Sequence, residues 1–421
     1  MSTSPHAFNT GILAADGTPL KEKLQQTNRR RRMHSFALVF PLLIFVLITF
    51  LVPIFSMLYR SIDDPVVGSK LPLTTSALKK WDGKGLPEET TFELLAQELL
   101  LLRKDQTIGE VASRLNFEKS GMRSLITKSA RKLKRIKKGP YKKALIKIDK
   151  RWGDRENWAV IKRLSSPVTS VHYLASVDKV LNADGAIVSQ PEVRQIYMIL
   201  WTRTLKISFL VTFFCLLLAY PVSYLLATLP LRTSNLLMIL VLLPFWTSLL
   251  VRTTSWIVLL QSQGVVNDLL VWMDVIHDKN RVQMIYNQTG TLIAMTQILL
   301  PFMILPLYSV MKTIPSSYMR AAQSLGATPA RAFIKVYLPQ TTPGIGAGSL
   351  LVFILAIGYY ITPALVGGQN GQLISNFIAY HMKSSLNWGL AGALGTLLLL
   401  LVLVLYWLYN KLVGIDNMKL G

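Results

Sequence analysis

Cysteine and acidic residues are scarce in this chain of 421 residues. Cys215 is the only cysteine, which excludes an internal disulfide and a cysteine-rich metal site. Asp and Glu number 22 against 46 Lys and Arg, so the formal net charge is +24. The five histidines are scattered without the spacing of a metal-binding motif. We therefore expect no metal site in this protein.

Catalytic and nucleotide-binding motifs are also missing. The sequence has no G-x-x-x-x-G-K-[ST] loop to hold a nucleotide, no H-E-x-x-H and no G-x-S-x-G. We expect no catalytic residue and no cofactor in this chain, so the sequence does not predict an enzyme. If the protein uses ATP, another chain must hydrolyse it.

Long apolar runs, in contrast, are abundant. Hydrophobic residues make up 51% of the chain, and the mean hydropathy of +0.38 is too high for an ordinary soluble protein of this size. Six stretches reach the length of about 20 residues that a transmembrane helix needs. They are residues 36–59, 199–227, 235–260, 290–311, 345–366 and 389–409. The sequence predicts an all-α, polytopic membrane protein with six transmembrane helices.

The distribution of basic residues predicts the orientation. Four arginines, residues 29–32, precede the first span, so the positive-inside rule places the N-terminus in the cytoplasm. Six spans return the C-terminus to the same side. The predicted parts are a cytoplasmic tail (1–35), a first transmembrane helix (36–59), a mostly helical periplasmic insertion (60–198), a five-helix core (199–411) with a cytoplasmic loop (312–343), and a cytoplasmic tail (412–421).

The insertion is the longest hydrophilic region and is strongly basic. It holds 27 Lys or Arg and 16 Asp or Glu. Apolar spacing predicts helices over 92–103, 107–116 and 119–137. Residues 106–135 resemble a helix-turn-helix in outline, and 131–143 hold eight Lys or Arg, so a membrane-anchored regulator is one alternative. Placing the insertion in the cytoplasm would move loop 312–343 outside, so we expect no nucleic-acid partner. Anionic lipid headgroups and an acidic protein both remain possible partners of its basic residues.

Loop 312–343 lies between two spans and carries helix caps. Ser316 or Ser317 can cap a first helix, which Gly326 would end in a left-handed conformation. Thr328 is a good N-cap for a second helix, with Pro329 at its first position. Leu338-Pro339 and Pro343-Gly344 are expected to stop the run before the next span. One face of it is predicted to be apolar: Ala330, Phe333, Ile334 and Tyr337.

The same loop resembles the cytoplasmic "EAA" loop of ABC importer permeases, whose pattern is Glu-Ala-Ala, three residues, Gly, then an apolar helix ending near a proline. The residues that match are Ala321, Ala322, Gly326, Ala327, Phe333, Leu338, Pro339, Pro343 and Gly344, while Arg320 stands at the position of the Glu. The resemblance implies that the loop docks on ABC ATPase subunits, which bind the ATP and Mg. The simpler alternative is a hairpin that only joins two spans.

Three further segments resemble the first permease component of spermidine/putrescine-type ABC importers. They are residues 244–270, residues 358–378 and the start of the last span. The resemblance implies a subunit of the bacterial inner membrane that pairs with a second permease and receives a polyamine from a periplasmic binding protein. Other cargoes of such permeases, such as an amino acid, an opine or a phosphonate, remain alternatives. A secondary transporter or channel that works without an ATPase is another.

Few residues in the predicted spans suit a cationic cargo. No predicted span contains Asp or Glu. Tyr359 and Tyr360 follow Gly358 and precede Pro363, where a broken helix can line a cavity, so they are candidates for cation–π contact in the translocation path. Arg252 has the wrong sign for a cation site. We expect it near the outer end of the third span, with its charge in water, where it anchors the helix or contacts the binding protein.

Overall fold

The protein is described by a computed structural model that covers residues 20–136 and 139–413. Residues 1–19 of the predicted N-terminal tail and 414–421 of the predicted C-terminal tail lie outside the described residues. The chain divides into two compact units, residues 1–59 and 60–421.

The first unit contains one long helical segment. It is built from α1 (Leu20–Val46), a π-helical turn (Leu47–Leu51) and α2 (Val52–Arg60), whose last residue begins the second unit. The part Asn28–Arg60 is long and apolar enough to cross a membrane. It starts earlier than the predicted span 36–59, because arginine is a good helix former and lets the helix run back through residues 29–32.

The insertion folds into short helices and one hairpin. The helices are α3 (Val66–Lys70), α4 (Pro72–Lys80), α5 (Glu89–Lys104), α6 (Ile108–Glu118), α7 (Met122–Leu133), α8 (Tyr141–Ile148), α9 (Arg155–Arg163) and α10 (Val171–Ala175), with 3₁₀ turns at Lys150–Gly153 and Glu192–Arg194. Strands β1 (Lys179–Leu181) and β2 (Ile187–Ser189) pair antiparallel, with Val180 opposite Val188. The helices predicted over 92–103, 107–116 and 119–137 correspond to α5, α6 and a shorter α7.

The insertion has a hydrophobic core of its own. The rings of Trp152 and Trp158 lie 5.1 Å apart, and Phe92 of α5 is 4.4 Å from Trp158. Val111 and Leu115 of α6 are fully buried against them in the same cluster. A domain with two buried tryptophans holds its surface helices in fixed positions, unlike a simple connecting loop.

The buried imidazole of His172 makes the stability of the insertion sensitive to acid. Burial, reinforced by the positive charge of Arg114, lowers the pKa of His172 from 6.5 to about 3. As the pH falls below 6.5, His172 binds a proton in the unfolded chain but not in the folded chain. The free energy of unfolding therefore decreases. We expect the unfolding temperature of the purified protein, followed by tryptophan fluorescence, to fall between about pH 7 and pH 5.

The variant His172→Gln is the control for this prediction. It removes the titrating group, so its unfolding temperature should change less over the same pH interval than that of the wild type. An equal acid sensitivity in both proteins would show that other groups cause it.

The membrane core follows the insertion. Its helices are α11 (Tyr197–Thr228), α12 (Leu231–Leu242), α13 (Leu249–Leu260), α14 (Val265–Trp272), α15 (Gln288–Thr313), α16 (Ser316–Ser324), α17 (Pro329–Ala332), α18 (Leu338–Gln340), α19 (Thr342–Gly358), α20 (Ile361–Val366), α21 (Gly368–Gly371), α22 (Ile374–Lys383) and α23 (Trp388–Val413). A π-helical turn (Phe333–Tyr337) joins α17 to α18, and 3₁₀ turns occupy Leu243–Trp246 and Asp278–Asn280.

Three helices, α11, α15 and α19, form the centre of this core. Their buried residues, such as Val211, Met295 and Val352, belong to one hydrophobic cluster. Gly348 lets α19 approach α15 closely, because a Cβ at this position would lie 2.8 Å from the sulfur of Met303. Small residues at such a crossing bring two membrane helices into direct contact.

Two of the six predicted spans are broken. In the described residues, four helices are long and apolar enough to cross a membrane, and two bent pairs bring the number to six if each pair is one span: Leu231–Trp246 with Leu249–Trp272, and Pro329–Gln340 with Thr342–Gly358. The predicted span 235–260 bends by 95° between Trp246 and Leu249. Pro244 provides no N–H there, and Ser248 starts the next helix by accepting a hydrogen bond from the N–H of Val251 at 3.2 Å. The predicted span 345–366 is interrupted at Tyr359 and Tyr360, between α19 and α20. The protein is thus an all-α polytopic membrane protein with two interrupted spans.

Candidate functional site

A helix–turn–helix segment, residues 316–340, is called the elbow here and is turned at Gly326. Gly326 has a φ of +88°, the left-handed conformation that the sequence predicts for it. Its N–H donates to the carbonyl of Gln323 at 2.9 Å, and the N–H of Ala327 donates to that of Ala322 at 3.1 Å. Thr328 then caps the second arm by accepting from the N–H of Arg331. The turn is therefore fixed by bonds within the elbow itself.

One predicted feature of the elbow, its first helix cap, is wrong. The residue that precedes α16 is Pro315, and neither Ser316 nor Ser317 caps the helix, since both lie inside it. The second arm ends before the next span, at Gln340 between Leu338-Pro339 and Pro343-Gly344, as predicted, although Leu338 and Pro339 themselves lie inside it. The π-helical turn before it shifts the hydrogen-bond register, so Pro339 falls in the first turn of α18, where its missing N–H costs little.

The predicted apolar face of the second arm is split between two directions. Phe333 and Tyr337 pack into the chain's own core, with their rings 5.5 and 5.3 Å from the ring of Tyr224. Ala330 and Ile334, predicted to lie beside them, are exposed. Phe333 therefore anchors the elbow to α11, and its contact with a partner stays a prediction.

The outer side of the elbow is apolar and basic. Tyr318, Leu325 and Ile334 are 50%, 89% and 58% exposed. Sequence reasoning missed Tyr318 and Leu325. Leu325 carried a signal, because it directly precedes the turn glycine and neither residue beside it in the sequence is a large apolar one. Ala321 and Pro339 are exposed, and Ala322, Ala327 and Leu338 are half-buried.

Arg320, which occupies the Glu position of the pattern, is exposed on α16. Its Nη2 donates to Ser316 Oγ at 3.4 Å, and it forms no ion pair within residues 20–136 and 139–413. The sequence of the elbow contains Arg331 and Lys335 but no Asp or Glu. A partner surface that covers the elbow must therefore tolerate or neutralise positive charge.

The interruption at Tyr359 and Tyr360 is held by α22. Ser375 Oγ donates to the carbonyl of Ile357 at 2.8 Å, and Asn376 Nδ2 donates to that of Tyr360 at 2.7 Å. The bond from Ser375 satisfies a carbonyl that loses its helical partner where α19 ends, whereas the carbonyl of Tyr360 also accepts from the N–H of Ala364 at 3.0 Å in the first turn of α20. Tyr359 is half-buried, and Tyr360 is exposed.

The ring of Tyr360 already holds a cation. The ammonium nitrogen of Lys383 lies 5.5 Å from its centroid. This distance is within the range of a cation–π contact. The same ring face can therefore accept a primary ammonium group.

Arg252 lies in the first turn of α13, close to the same interruption. Helix α13 meets α20 through Thr253 and Thr362, whose hydroxyl oxygens are 3.3 Å apart. The Nε and Nη1 of Arg252 are buried and have no hydrogen-bond partner in the described structure. The expectation that its charge stands in water is wrong for these two nitrogens, because α13 packs against α15 and α20. A contact with a binding protein stays a prediction.

Known proteins match the core and the elbow. A family model described as "Binding-protein-dependent transport system inner membrane component" matches residues 207–413. The spermidine/putrescine transport system permease protein PotB of Escherichia coli K12 is 34% identical over 222 residues, which cover 52% of this chain and 80% of that protein. PotB of Haemophilus influenzae is 36% identical over 219 residues, covering 51% and 76%.

More distant proteins are also similar. The inner membrane ABC transporter permease protein YdcU of E. coli K12 is 31% identical over 222 residues, covering 50% of this chain and 70% of that protein. A chain of a bacterial alginate ABC transporter, solved in complex with its alginate pentasaccharide-bound periplasmic protein, aligns over 53% of this chain and 80% of that chain, with 19% identity and a TM-score of 0.42. The PotB similarity, which spans more than two thirds of those relatives, decides the family. This chain belongs to the inner-membrane permease family of binding-protein-dependent transport systems, and it is a multi-pass transport subunit.

Proposed function

We propose that this chain is the permease subunit of an ATP-driven importer that carries a polyamine, such as putrescine or spermidine, into the cytoplasm. The observation that carries the proposal is the elbow, whose turn at Gly326 leaves Leu325 uncovered in a permease of this family. An apolar side chain exposed at 89% on a rigid helical turn suits a pocket on a partner protein. The partners in this proposal are two ATPase subunits, a second permease and a periplasmic binding protein.

The elbow is proposed to couple ATP hydrolysis to the membrane helices. Phe333 and Tyr337 fasten it to α11 on one side, and α18 continues into α19 through a bend of 59° on the other. Closure of the ATPase subunits would move the elbows of the two permeases together and tilt α11 and α19, which would open the path to the periplasm. Release of the hydrolysis products would reverse the movement. We further propose that both termini and the elbow lie in the cytoplasm and the insertion in the periplasm, because four arginines, residues 29–32, precede the first span.

The cargo assignment rests on the PotB relatives and on Tyr360. Those relatives are named for spermidine and putrescine. In this chain the ring of Tyr360 contacts the ammonium of Lys383, which is chemically the same group as the end of a polyamine. A cargo amine that replaces Lys383 on this ring would bind weakly and reversibly. Weak binding suits a transport path, because the cargo must leave it again.

Replacing Tyr360 with leucine tests this contact. A cation–π contact contributes about 0.5–2 kcal/mol, so we expect polyamine uptake by the assembled importer to fall about 2- to 30-fold. The control Tyr360→Phe keeps the ring and should stay close to the wild type. Equal losses in both variants would assign the effect to the hydroxyl and remove the ring from the path.

A second candidate cargo is an anion-bearing solute, such as an amino acid, an opine or a phosphonate. The observation in its favour is Arg252, whose buried Nε and Nη1 have no partner in the described residues. A guanidinium group is a strong ligand for a carboxylate or phosphonate. Polyamine cargo and unpaired Arg252 are compatible only if the second permease or a bound solute supplies the missing negative charge.

Reconstitution of the four proteins in liposomes separates these possibilities. We expect uptake of labelled spermidine that requires ATP, the ATPase and the binding protein, and that unlabelled putrescine reduces. Uptake that continues without ATP and collapses with the ion gradient would contradict the importer. ATP-dependent uptake of an amino acid, opine or phosphonate, with none of spermidine, would replace the cargo but keep the class.

A further inference from the structure

The insertion carries an uncompensated basic surface on α7 and α8. Between Glu118 and Asp149 the sequence has 12 Lys and Arg and no acidic residue. Eight basic side chains between Glu118 and Lys150, the last of them Lys150 itself, are exposed and form no ion pair within the described part of the chain. They are Arg123, Arg131, Lys132, Lys134, Arg135, Lys143, Lys147 and Lys150, and they are called the basic face.

Other basic side chains of the insertion are neutralised within it. Lys119 bridges Asp154 at 2.8 Å and Glu156 at 2.6 Å, and Lys128 bridges Asp149 at 2.9 Å. Asp149, Asp154 and Glu156 are therefore already paired with basic side chains outside the basic face, and Asp149 also pairs with Arg151. The charge of the basic face is left for a group outside the described residues.

The basic face has no exposed apolar component. Leu125, Ile126 and Leu133 of α7 are fully buried in the core of the insertion. No large hydrophobic side chain is exposed in the described residues between 119 and 150. A helix that lies on a lipid surface keeps an apolar side for the acyl boundary, and here that side is already used. The composition favours a soluble, acidic macromolecule over a lipid surface.

The basic face also lies on elements that do not fasten the insertion to the membrane core. The fastening is made by Asp178, which accepts from the N–H groups of Tyr197 and Met198 at 3.1 and 2.8 Å, and by Ser176, whose carbonyl accepts from Trp201 Nε1 at 3.1 Å. Helices α7 and α8 pack mainly against α5, α6 and the turn Lys150–Gly153. Their outer sides are therefore available to a soluble partner in the same compartment.

We propose that the basic face docks the acidic rim of the binding protein that delivers the cargo. This inference rests on the proposed function. A protein that captures a polycation must line its cleft with carboxylates, so its opening is negatively charged. Charge complementarity of this kind speeds encounter and fixes orientation, and it weakens as salt is added. The insertion lies outside the residues that match the family model, so this docking surface is an addition to the family core.

The test neutralises part of the basic face in the whole importer. In the face variant, Arg131, Lys132, Lys134 and Arg135 are replaced with glutamine. The matched control replaces four exposed lysines elsewhere in the insertion, Lys79, Lys80, Lys84 and Lys104, with glutamine. The affinity of the binding protein encoded in the same gene cluster is measured on importers in nanodiscs of zwitterionic lipid, at about 50 and 200 mM salt.

We expect the face variant to bind the binding protein about 10-fold more weakly at low salt and to lose most of its salt dependence. The control should stay within about 2-fold of the wild type. Equal weakening in both variants would overturn the proposal in favour of general charge, and no weakening would overturn it outright. If the face variant differs from the wild type only when the nanodiscs contain anionic lipid, the basic face is assigned to lipid headgroups. If the wild-type importer retains RNA and the face variant does not, the basic face is assigned to nucleic acid.

ATP hydrolysis distinguishes failure of the docking surface from failure of the proposed function. At saturating binding protein, the face variant should reach the wild-type rate of stimulated hydrolysis, because only the encounter is impaired. A wild-type complex that shows no stimulation by the binding protein would contradict the importer itself, whatever the variant does.

Discussion

Replacing Gly326 with valine is expected to reduce transport-coupled ATP hydrolysis at least 10-fold. Gly326 has a φ of +88°, and a Cβ there would meet no atom within 4 Å. The cost of the substitution is therefore one of backbone conformation alone, about 1–3 kcal/mol for a β-branched residue. The chain relieves it by opening the turn, which separates the two arms that must fit one partner surface.

The control for this prediction is Gly326→Asn. Asparagine adopts the left-handed conformation at small cost, so this variant should keep most of the activity although it also adds a side chain. The measurement is ATP hydrolysis and spermidine uptake by the reconstituted importer. If valine and asparagine have the same effect, the side chain and not the turn conformation matters, and the elbow model is wrong.

The variant Leu325→Asp is expected to release the ATPase from the permease. Leu325 is 89% exposed, so the change does not disturb the folded chain. In the proposed complex it would place a carboxylate in an apolar pocket, and the loss of a central apolar anchor in an interface costs about 2–4 kcal/mol. We expect the affinity between the purified permease and its ATPase to fall roughly 30-fold or more.

Val193→Asp is the matched control for Leu325→Asp. Val193 is 94% exposed in the insertion, so the same chemical change occurs there at equal exposure. The affinity for the ATPase should then equal that of the wild type. ATPase binding that is unchanged by Leu325→Asp would show that the outer side of the elbow is not the docking surface.

Local sequence signals predicted the parts of the elbow that are held by local bonds. Gly326 and Thr328 act through hydrogen bonds to neighbours within five residues, so a short stretch of sequence contains the whole cause. The apolar spacing of α6 predicts one buried stripe, Ile108, Val111, Ala112 and Leu115, for the same reason; the last three are fully buried and Ile108 is partly buried against the same core. The four unbroken spans followed from length and hydropathy alone.

Features that depend on distant contacts were not predictable. The apolar face of the second arm is split because Phe333 and Tyr337 pack edge-on against Tyr224, which belongs to a different helix far away in the sequence. The break after Trp246 was not predicted. Proline is common inside membrane helices, so Pro244 alone does not indicate a bend of 95°. The burial of Arg252 depends on α20, whose position the sequence does not reveal.

The hydrogen bonds at the interrupted span set a mechanical requirement on the transport cycle. Helix α19 has 17 residues, so it is a rod of about 25 Å with the elbow at one end and the bonds from Ser375 and Asn376 at the other. A tilt of about 10° at the elbow displaces the far end of such a rod by about 4 Å, which exceeds the length of a hydrogen bond. Either α22 travels with α19, and His381 pulls on Tyr197 through their 2.8 Å contact, or these bonds open once in every cycle.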